Sequence, residues 1–394
     1  MSATTTTPVH ETLWHRDFWL LAMAELLLSV AVYMLIPTLP IWLEHVVGLD
    51  RTDIGLVMGI YGVGAFVLGP LCNWLVQHYR RNRVFLVTAL LFTGVLAAFA
   101  LVEDRNLHAA SFSLLLLCAM RFVLGALFCL AQMVLSSTLI IDKCESNQRT
   151  AANHSASWFS RFALSLGPMA GLILLPATGF HDMVLVAALL ACLSIVLVRT
   201  VSFPFKAPDD NVPLFSLDRC FLMRGKWLFV DYFLFSVALG LLLSRHLPAI
   251  YYGLLMTGFC IALLLCRKTE SRSDSRAGII LASLSMALSM LFLVYGRREL
   301  SLLSPLLLGL GIGYVGSRFL LQFIRISLHC QRGTSQSTYC LAWESGLAIG
   351  IGCGLAFFTE LSAGLLVLFL TLLAVATLFY VLFVSGDVNR LSTR

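Results

Sequence analysis

The chain is 394 residues long, 59% hydrophobic and only 12% charged, with a mean hydropathy of +0.89. Soluble domains carry about 25% charged residues, so this composition excludes a water-soluble globular fold and places most of the chain in lipid. The net charge of +6 follows membrane topology, as the loops below show, and nucleic-acid binding is a poor explanation of it.

The first residues, Met1 to His10, are polar and Thr-rich, and the first apolar run is too long for a cleavable signal. Twelve candidate spans follow, near Phe18–Leu43, Ile54–Val76, Val84–Val102, Ala110–Ile141, Ala152–Leu175 and Met183–Phe203, then Trp227–Leu243, Leu247–Cys266, Ala277–Tyr295, Leu302–Leu328, Gln336–Phe358 and Ala363–Val384. Most reach the roughly 20 residues that a bilayer core requires. The seventh and eighth are short, and Arg245 with His246 blurs the boundary between them. Lipid offers no partner for backbone amides, and the dyad alternation of a membrane barrel is absent. The expected fold is therefore all-α, a polytopic membrane protein of twelve transmembrane helices in two six-helix bundles.

The longest connection, Pro204 to Lys226, holds Pro204, Pro208, Pro213, Asp209 and Asp210 and divides the spans six and six. It sets the expected domains: an N-terminal bundle over 1–203, a cytoplasmic linker over 204–226 and a C-terminal bundle over 227–394. Within the linker, Leu214 to Met223 mixes apolar and basic residues and is expected to form a short surface helix. The other connections are short, so no soluble catalytic domain is attached and the chemistry lies in the bundle.

Basic residues between spans are unevenly shared. One side carries Arg16, Arg80, Arg81, Arg83, Lys143, Arg149, Arg199, Lys206, Arg219, Arg224, Lys226, Arg267, Lys268, Arg272, Arg276, Arg332, Arg390 and Arg394; the other has Arg51, Arg105, Arg245, Arg297 and Arg298. The positive-inside rule then puts both termini in the cytoplasm. The eleven cysteines are scattered without a CxxC pair and read as small apolar packing residues, so neither a metal nor a cofactor is expected.

Two stretches, Gln148–Gly171 and Gln331–Gly354, match at a constant offset. Each opens with Gln-Arg, places an ionised side chain inside an apolar helix (Arg161, Glu344) and continues with small residues every fourth position. Those are Ala163, Gly167 and Gly171, answered by Gly346, Gly350 and Gly354. Small residues at that interval let helices approach closely in lipid, and an ionised group among them implies a watered cavity or a partner. The pattern points to a duplicated protein with a polar site between its halves.

The intramembrane ionisable set is Glu25, Arg121, Arg161, Arg318, Arg325 and Glu344. Arg325 is one turn from a span end and reads as a snorkelling anchor. Arg318 and Glu344 lie at similar depth on successive helices, which makes an Arg318–Glu344 pair a specific expectation; its plain reading is a structural salt bridge. Tyr314, Arg318, Gln322 and Arg325 share one helical face and are expected to line a cavity, with Gln132, Ser157, Trp158 and Arg161 forming the opposing wall. Trp343 either stacks on a ligand ring or fills a packing gap. Asp231 reads as an interface carboxylate paired with Lys226 or Arg224, and His154 as a residue of the same boundary.

Several motifs carry a resemblance. Asn73-Trp-Leu-Val-Gln77-His78-Tyr79-Arg80-Arg81-Asn82-Arg83 after the second span, Arg121-Phe-Val-Leu-Gly125 in the fourth, Gly167-Pro168-Met-Ala-Gly171 in the fifth and Tyr33-Met-Leu-Ile-Pro37-Thr-Leu-Pro40 in the first resemble elements of the major facilitator superfamily, especially its drug and metabolite exporters. In the loop motif Asn73 replaces the first Gly, Gln77 the acid and Arg80 the second Gly, so the basic tail of Arg81 and Arg83 stands without its usual acid. The resemblance implies two pseudo-symmetric bundles, a cavity-facing Arg121 in proton coupling, and a gating role for Gly167, Pro168, Gly171, Arg81 and Arg83. Physically, the Gly-Pro-x-x-Gly element reads as a hinge or as tight contact with a helix of the other half.

The expected function is secondary active transport of a small organic solute across the cytoplasmic inner membrane by alternating access, as proton-coupled efflux by an antiporter. Glu25 and Glu344 are the expected proton carriers, with Arg121 and Arg318 as their partners, and Arg161, Gln132, Trp158, Tyr314, Gln322 and Trp343 line the cavity. Arg outnumbers acid, which favours an anionic or zwitterionic substrate. The expected partners are that solute, protons or sodium, and lipid, with a monomeric chain. Alternatives are uptake or exchange of an organic anion or lipid-like solute, an intramembrane enzyme, or a nontransporting receptor. No Walker A loop, HExxH or GxSxG is present, and the chain is not expected to be an enzyme.

Overall fold

The computed structural model describes residues 12–103, 110–145, 148–203, 212–269, 275–296, 298–328, 331–359 and 361–392. Pro204, Pro208, Asp209 and Asp210 of the linker, the Met1–His10 start, and the loop cations Arg105, Lys206, Arg272, Arg297 and Arg394 lie outside the described residues.

Eleven helices long and apolar enough to cross a membrane occur among the described residues. One of them, Arg149–Thr200, runs 52 residues, about 78 Å at helical rise and far beyond a bilayer core of roughly 30 Å. Gly179 divides it, with φ +84° and ψ 174°, a backbone state that an L side chain rarely adopts. Its two arms are separate spans, and the number of crossings is the twelve that hydropathy gives. In chain order they are α1 Arg16–Val47, α2 Arg51–His78, α3 Arg81–Val102, α4 Leu114–Asp142, α5 149–178, α6 180–200, α7 Met223–Leu243, α8 Ala249–Arg267, α9 Arg276–Tyr295, α10 Glu299–Ile326, α11 Arg332–Phe357 and α12 Ala363–Leu391. Arg245 and His246 fall in the gap between α7 and α8, which settles the boundary left open by hydropathy.

The internal repeat has a packing counterpart. Gly167 and Gly171 of α5 lie against α1, where a Cβ would stand 2.9 Å from the Val30 carbonyl oxygen and 2.8 Å from that of Met34. Their matches on α11, Gly350 and Gly354, meet α7 in the same way, at the Gly240 Cα and the Leu241 carbonyl. The two glycines of Gly167-Pro168-Met-Ala-Gly171 thus make their close contact with α1 of their own half, while Met169 between them meets α8 of the other half. In lipid the helices gain little from hydrophobic burial, so close van der Waals approach through such small residues holds each set of six together.

A different face of α11 crosses the seam. Gly352 packs on Gly55 and Gly59 of α2, and Ser345 and Ala348 pack on Gly62. On the opposite flank α5 meets α8, with Ser165 donating to the Tyr252 carbonyl and Met169 against Gly253.

Three features tie together elements at the face rich in basic residues. Arg81 pairs with Asp142 at the end of α4, and Lys143 pairs with Asp17 at 2.7 Å. The linker supplies the third. Leu214–Met223 does not form the expected helix; it is a run of turns in which Arg219 adopts φ +65°. The reason lies in its bonds. The Ser216 amide donates to Pro70 O (3.0 Å), and the amides of Arg219 and Leu222 donate to Thr334 Oγ1 (3.1 Å) and Thr338 Oγ1 (2.7 Å) of α11. Helix would withdraw those amides into its own ladder. The segment is a clasp between α2, at Pro70, and the start of α11.

Cys220 sits inside this clasp, 3% exposed, and burial pushes its thiol up to about 11. Maleimide labelling of Cys220 is expected to run roughly a hundredfold slower than at an ordinary thiol, since only thiolate reacts. Thr338→Val removes one acceptor and is expected to speed that labelling about fivefold, by one hydrogen bond's worth of local opening. Peptide mapping of the alkylated protein reads the rate; an unchanged rate would mean the clasp does not depend on this bond.

Candidate functional site

The two ionised residues at matching positions of the repeat meet phenols of the opposite half. Glu344 of α11 accepts from Tyr33 Oη of α1 at Oε1 and from Tyr61 Oη of α2 at Oε2, the latter at 3.3 Å. Trp343 Nε1 donates to Tyr33 Oη at 2.9 Å and so holds that phenol in place. Arg161 of α5, for its part, donates from Nη2 to Tyr339 Oη of α11 at 2.7 Å, and Tyr232 Oη of α7 donates to the same oxygen at 2.8 Å. Glu344 and Arg161 are 1% and 2% exposed, so both bonds lie deep in the seam between the first and last six helices. A charged partner makes each such bond worth about 1.5–3 kcal/mol, far above a surface contact.

The two clusters join through aromatic contact. Tyr232 stacks on Tyr339 (4.7 Å), on Phe319 (5.1 Å) and on Trp343 (6.0 Å). Arg121 of α4 stands over the Tyr61 ring at 4.8 Å, and Arg161 over the Trp158 ring at 4.6 Å. A continuous path of rings and charges therefore runs from Arg121 through Tyr61, Glu344, Tyr33, Trp343, Tyr232 and Tyr339 to Arg161, passing repeatedly between the halves.

The carboxylate end of this path faces a void. A small cavity of about 20 Å³ is lined by Tyr33, Tyr61, Arg121 and Glu344, with Ile36 and Ile351 on its margin. Those two isoleucines also line a larger cavity of about 250 Å³, bounded by Pro37, Leu172, Arg245 and Leu355 and lying toward the face poor in basic residues. Arg245 is fixed there by the carbonyls of Gly354 (2.6 Å) and Phe358 (3.0 Å). Ile36 and Ile351, which line both cavities, stand between Glu344 and that vestibule.

The remaining expected site residues are distributed as follows. Both oxygens of Glu344 are taken by phenols, so the expected Arg318–Glu344 pair does not form; Arg318 stands over the Tyr314 ring at 5.0 Å. The expected polar stripe of α10 turns into the last six helices: Tyr314 abuts Gly278 of α9, and Gln322 Nε2 donates to Tyr380 Oη of α12. The face that α10 turns to α5 is built of small residues instead, with Gly313 near Trp158, Gly316 against Arg161, and Ser317 bonded to His154 at 2.7 Å. His154 is thus a seam residue, where the sequence placed it at the membrane boundary. Gln132 reaches across to Ser160 at 3.2 Å, Arg83 is exposed, and Arg325 is exposed at its helix end. Glu25 is buried with neither oxygen bonded.

Asp231 needs correction. It pairs with neither Lys226 nor Arg224; it is 0% exposed and neither oxygen has a partner. The sequence put it one turn into its span, but the helix face it occupies turns inward. Because nothing is bonded to it, Asp231→Asn is expected to leave thermal stability unchanged or raised, since the mutation removes an uncompensated buried acid. A fall in Tm of purified protein would reveal an undetected partner.

Sequence reading passed over the phenols Tyr33, Tyr61, Tyr232 and Tyr339, and over Gly316 and Asp142. A signal was present for the tyrosines: a hydroxyl inside an aliphatic span has to find a partner when buried. Asp142 supplies to Arg81 the acid that Gln77 does not. Nothing local marks Gly316, whose role depends on what stands opposite.

A family model described as Major Facilitator Superfamily matches residues 21–386. Solved structures with the same arrangement include a bacterial homologue of the iron transporter ferroportin in an outward-facing state, with TM-score 0.68 at 17% identity, covering 96% of this chain and 100% of that one. The nucleoside transporter NupG matches with TM-score 0.63 at 12% identity over 94% and 99% of the two chains. The human organic anion transporter MFSD10 gives 0.63 at 16% over 93% and 98%. No curated protein sequence matches the chain. These identities speak to fold alone; together with the family match along nearly the whole length, they make this multi-pass membrane protein a member of the major facilitator superfamily, with the fold of its transporters.

Proposed function

We propose that the protein is a secondary active transporter that moves a small organic solute by alternating access, coupled to protons, with Glu344 as the principal carrier. The bundles 1–203 and 227–394, joined by the linker 204–226, rock about the seam, with Ser216–Leu222 clasping the cytoplasmic side. One observation carries this reading: a buried carboxylate from one half is held by two phenols of the other, beside an arginine, in a small cavity that Ile36 and Ile351 share with a vestibule toward one membrane face. As an anion Glu344 accepts from Tyr33 and Tyr61 and ties the halves together. A proton converts one oxygen to a donor, removes the charge from both bonds and releases the seam, so proton occupancy and bundle separation become linked. Arg121, over the Tyr61 ring, stands beside this tie.

Glu25 is a second carrier in this scheme, on α1 nearer the basic face than Tyr33. Efflux across the cytoplasmic membrane, with both termini cytoplasmic and the chain monomeric, is the direction and setting we favour, on the Gly-Pro-x-x-Gly resemblance and on the basic face. An intramembrane enzyme is disfavoured because Glu344 and Arg161 have phenols, and not a nucleophile and base, beside them. The test is gradient dependence. After a stabilisation screen across drugs, organic anions, sugars and lipids has found a solute, its flux in proteoliposomes is expected to collapse with a protonophore. Turnover of the solute without a gradient would replace transport with enzymatic chemistry.

A further inference from the structure

Around Arg161 the donors outnumber the acceptors. Its Nε and Nη1 are buried without hydrogen-bond partners, and so is Nε1 of Trp158, whose ring lies under the guanidinium at 4.6 Å. Tyr339 Oη already accepts from both Arg161 and Tyr232, so its own proton points away from them and is a further donor. No carboxylate touches Arg161 among the described residues; its neighbours are rings and a phenol oxygen. Burying a cation this way is unfavourable unless an anion offsets it, so the cluster is incomplete as it stands.

The donors also converge. A Cβ placed on Gly316 of α10 would be 2.9 Å from Arg161 Nε and 3.0 Å from each of the Tyr232 and Tyr339 hydroxyls. Those are hydrogen-bonding distances to a single point. In the closed arrangement the bare backbone of Gly316 covers that point. An acceptor oxygen can take its place once α10 shifts within its own bundle, away from Arg161, Tyr232 and Tyr339. Flanking the point are the faces of Trp158 on one side and the stacked Tyr232, Tyr339 and Phe319 on the other.

We propose that Arg161, Trp158 and Tyr339 form an anion subsite beneath Gly316 that binds the carboxylate or sulfonate of an aromatic organic anion, with the ring of the ligand against the Trp158 and Tyr232–Tyr339 surfaces. This rests on the transport reading for its purpose and names the substrate class. The anionic group answers the unpaired donors and the planar body answers the aromatic walls, which an inorganic anion could not use. The site is separate from the Glu344 cluster, so substrate and proton occupy opposite ends of one aromatic path, and binding at one end shifts the ring stack that positions Trp343 and Tyr33 at the other.

Benzoate is the probe, with benzylammonium as the ring carrying the wrong charge and inorganic phosphate as the charge without a ring. Benzoate is expected to raise the Tm of the purified protein in a saturable way, and the other two are not. Arg161→Gln is expected to weaken benzoate about 10- to 100-fold, and Trp158→Phe, which keeps the ring and loses only Nε1–H, about 3- to 10-fold. Gly316→Ala, whose methyl occupies the convergence point, is expected to weaken it comparably, and Arg325→Gln at the exposed helix end is expected to leave it unchanged. Should Arg161→Gln fail to fold, Trp158→Phe and Gly316→Ala decide the matter. Stabilisation by benzylammonium or phosphate in place of benzoate, or benzoate binding indifferent to Trp158→Phe and Gly316→Ala, overturns the subsite. Benzoate binding without any gradient-driven flux would sink the transport reading and leave the subsite standing; coupled flux of a cation would do the reverse.

Discussion

Glu344→Gln is expected to abolish gradient-driven transport in proteoliposomes while solute exchange across the same membranes stays measurable. Glutamine fills the same space and its amide oxygen can still accept from one phenol, so the fold and the binding pocket are kept. What it loses is the proton and the charge on both bonds to Tyr33 and Tyr61. Two charge-assisted bonds at about 1.5 kcal/mol or more apiece amount to about 3 kcal/mol of seam closure, so the coupled rate is expected to fall about a hundredfold or further. Uptake driven by an imposed pH gradient, set beside counterflow of labelled solute, separates the two effects. Full coupled activity in the variant would remove Glu344 as carrier and leave Glu25 as the candidate.

The second large effect is expected at Gly352, and it is conformational. A Cβ there would stand 2.6 Å from the Gly55 carbonyl oxygen and 2.8 Å from Gly59 Cα, both on α2 across the seam. Gly352→Val cannot be accommodated while α2 and α11 touch, but it asks nothing of either half alone. Overpacking of about 2 kcal/mol would then fall on the closed state only and shift the balance roughly 30-fold toward separation at the face poor in basic residues. Spin labels at the outer ends of α2 and α11 are expected to report a longer distance. Gly350→Val is the contrast, because its neighbour is Gly240 of α7 within the same half, 2.9 Å from the would-be Cβ. There the penalty falls on every folded state, so Tm drops and the spin-label distance does not change. If Gly352→Val lowers Tm and leaves the distance alone, the α2–α11 contact is structural and does not gate.

These two glycines, two residues apart on one helix, mark how far a sequence can be read. The repeat of small residues at 163, 167 and 171 and at 346, 350 and 354 was legible because periodicity within one helix is a local property. Which helix each stripe would meet was not, and the other-half contact expected at Gly167 and Gly171 proved to be α1. The linker shows the same limit: its composition suits a surface helix, yet hydroxyls on α11 compete for its amides and win. So does Asp231, whose depth along the chain says nothing about the direction its face turns.

Composition, hydropathy and the uneven distribution of Lys and Arg determined the membrane setting, the all-helical architecture and the number of crossings, since lipid permits few alternatives and each signal is carried by consecutive residues. The sequence also marked Arg161 and Glu344 as a matched pair of buried charges, because an ionised side chain in an apolar helix is conspicuous wherever it ends up. Only the folded chain decided what answers them. Their partners come from helices more than a hundred residues away, and their chemistry belongs to tyrosines that look unremarkable in the line of letters. A hydrogen bond across the seam is a property of two helices placed side by side, and no spacing within either one encodes it.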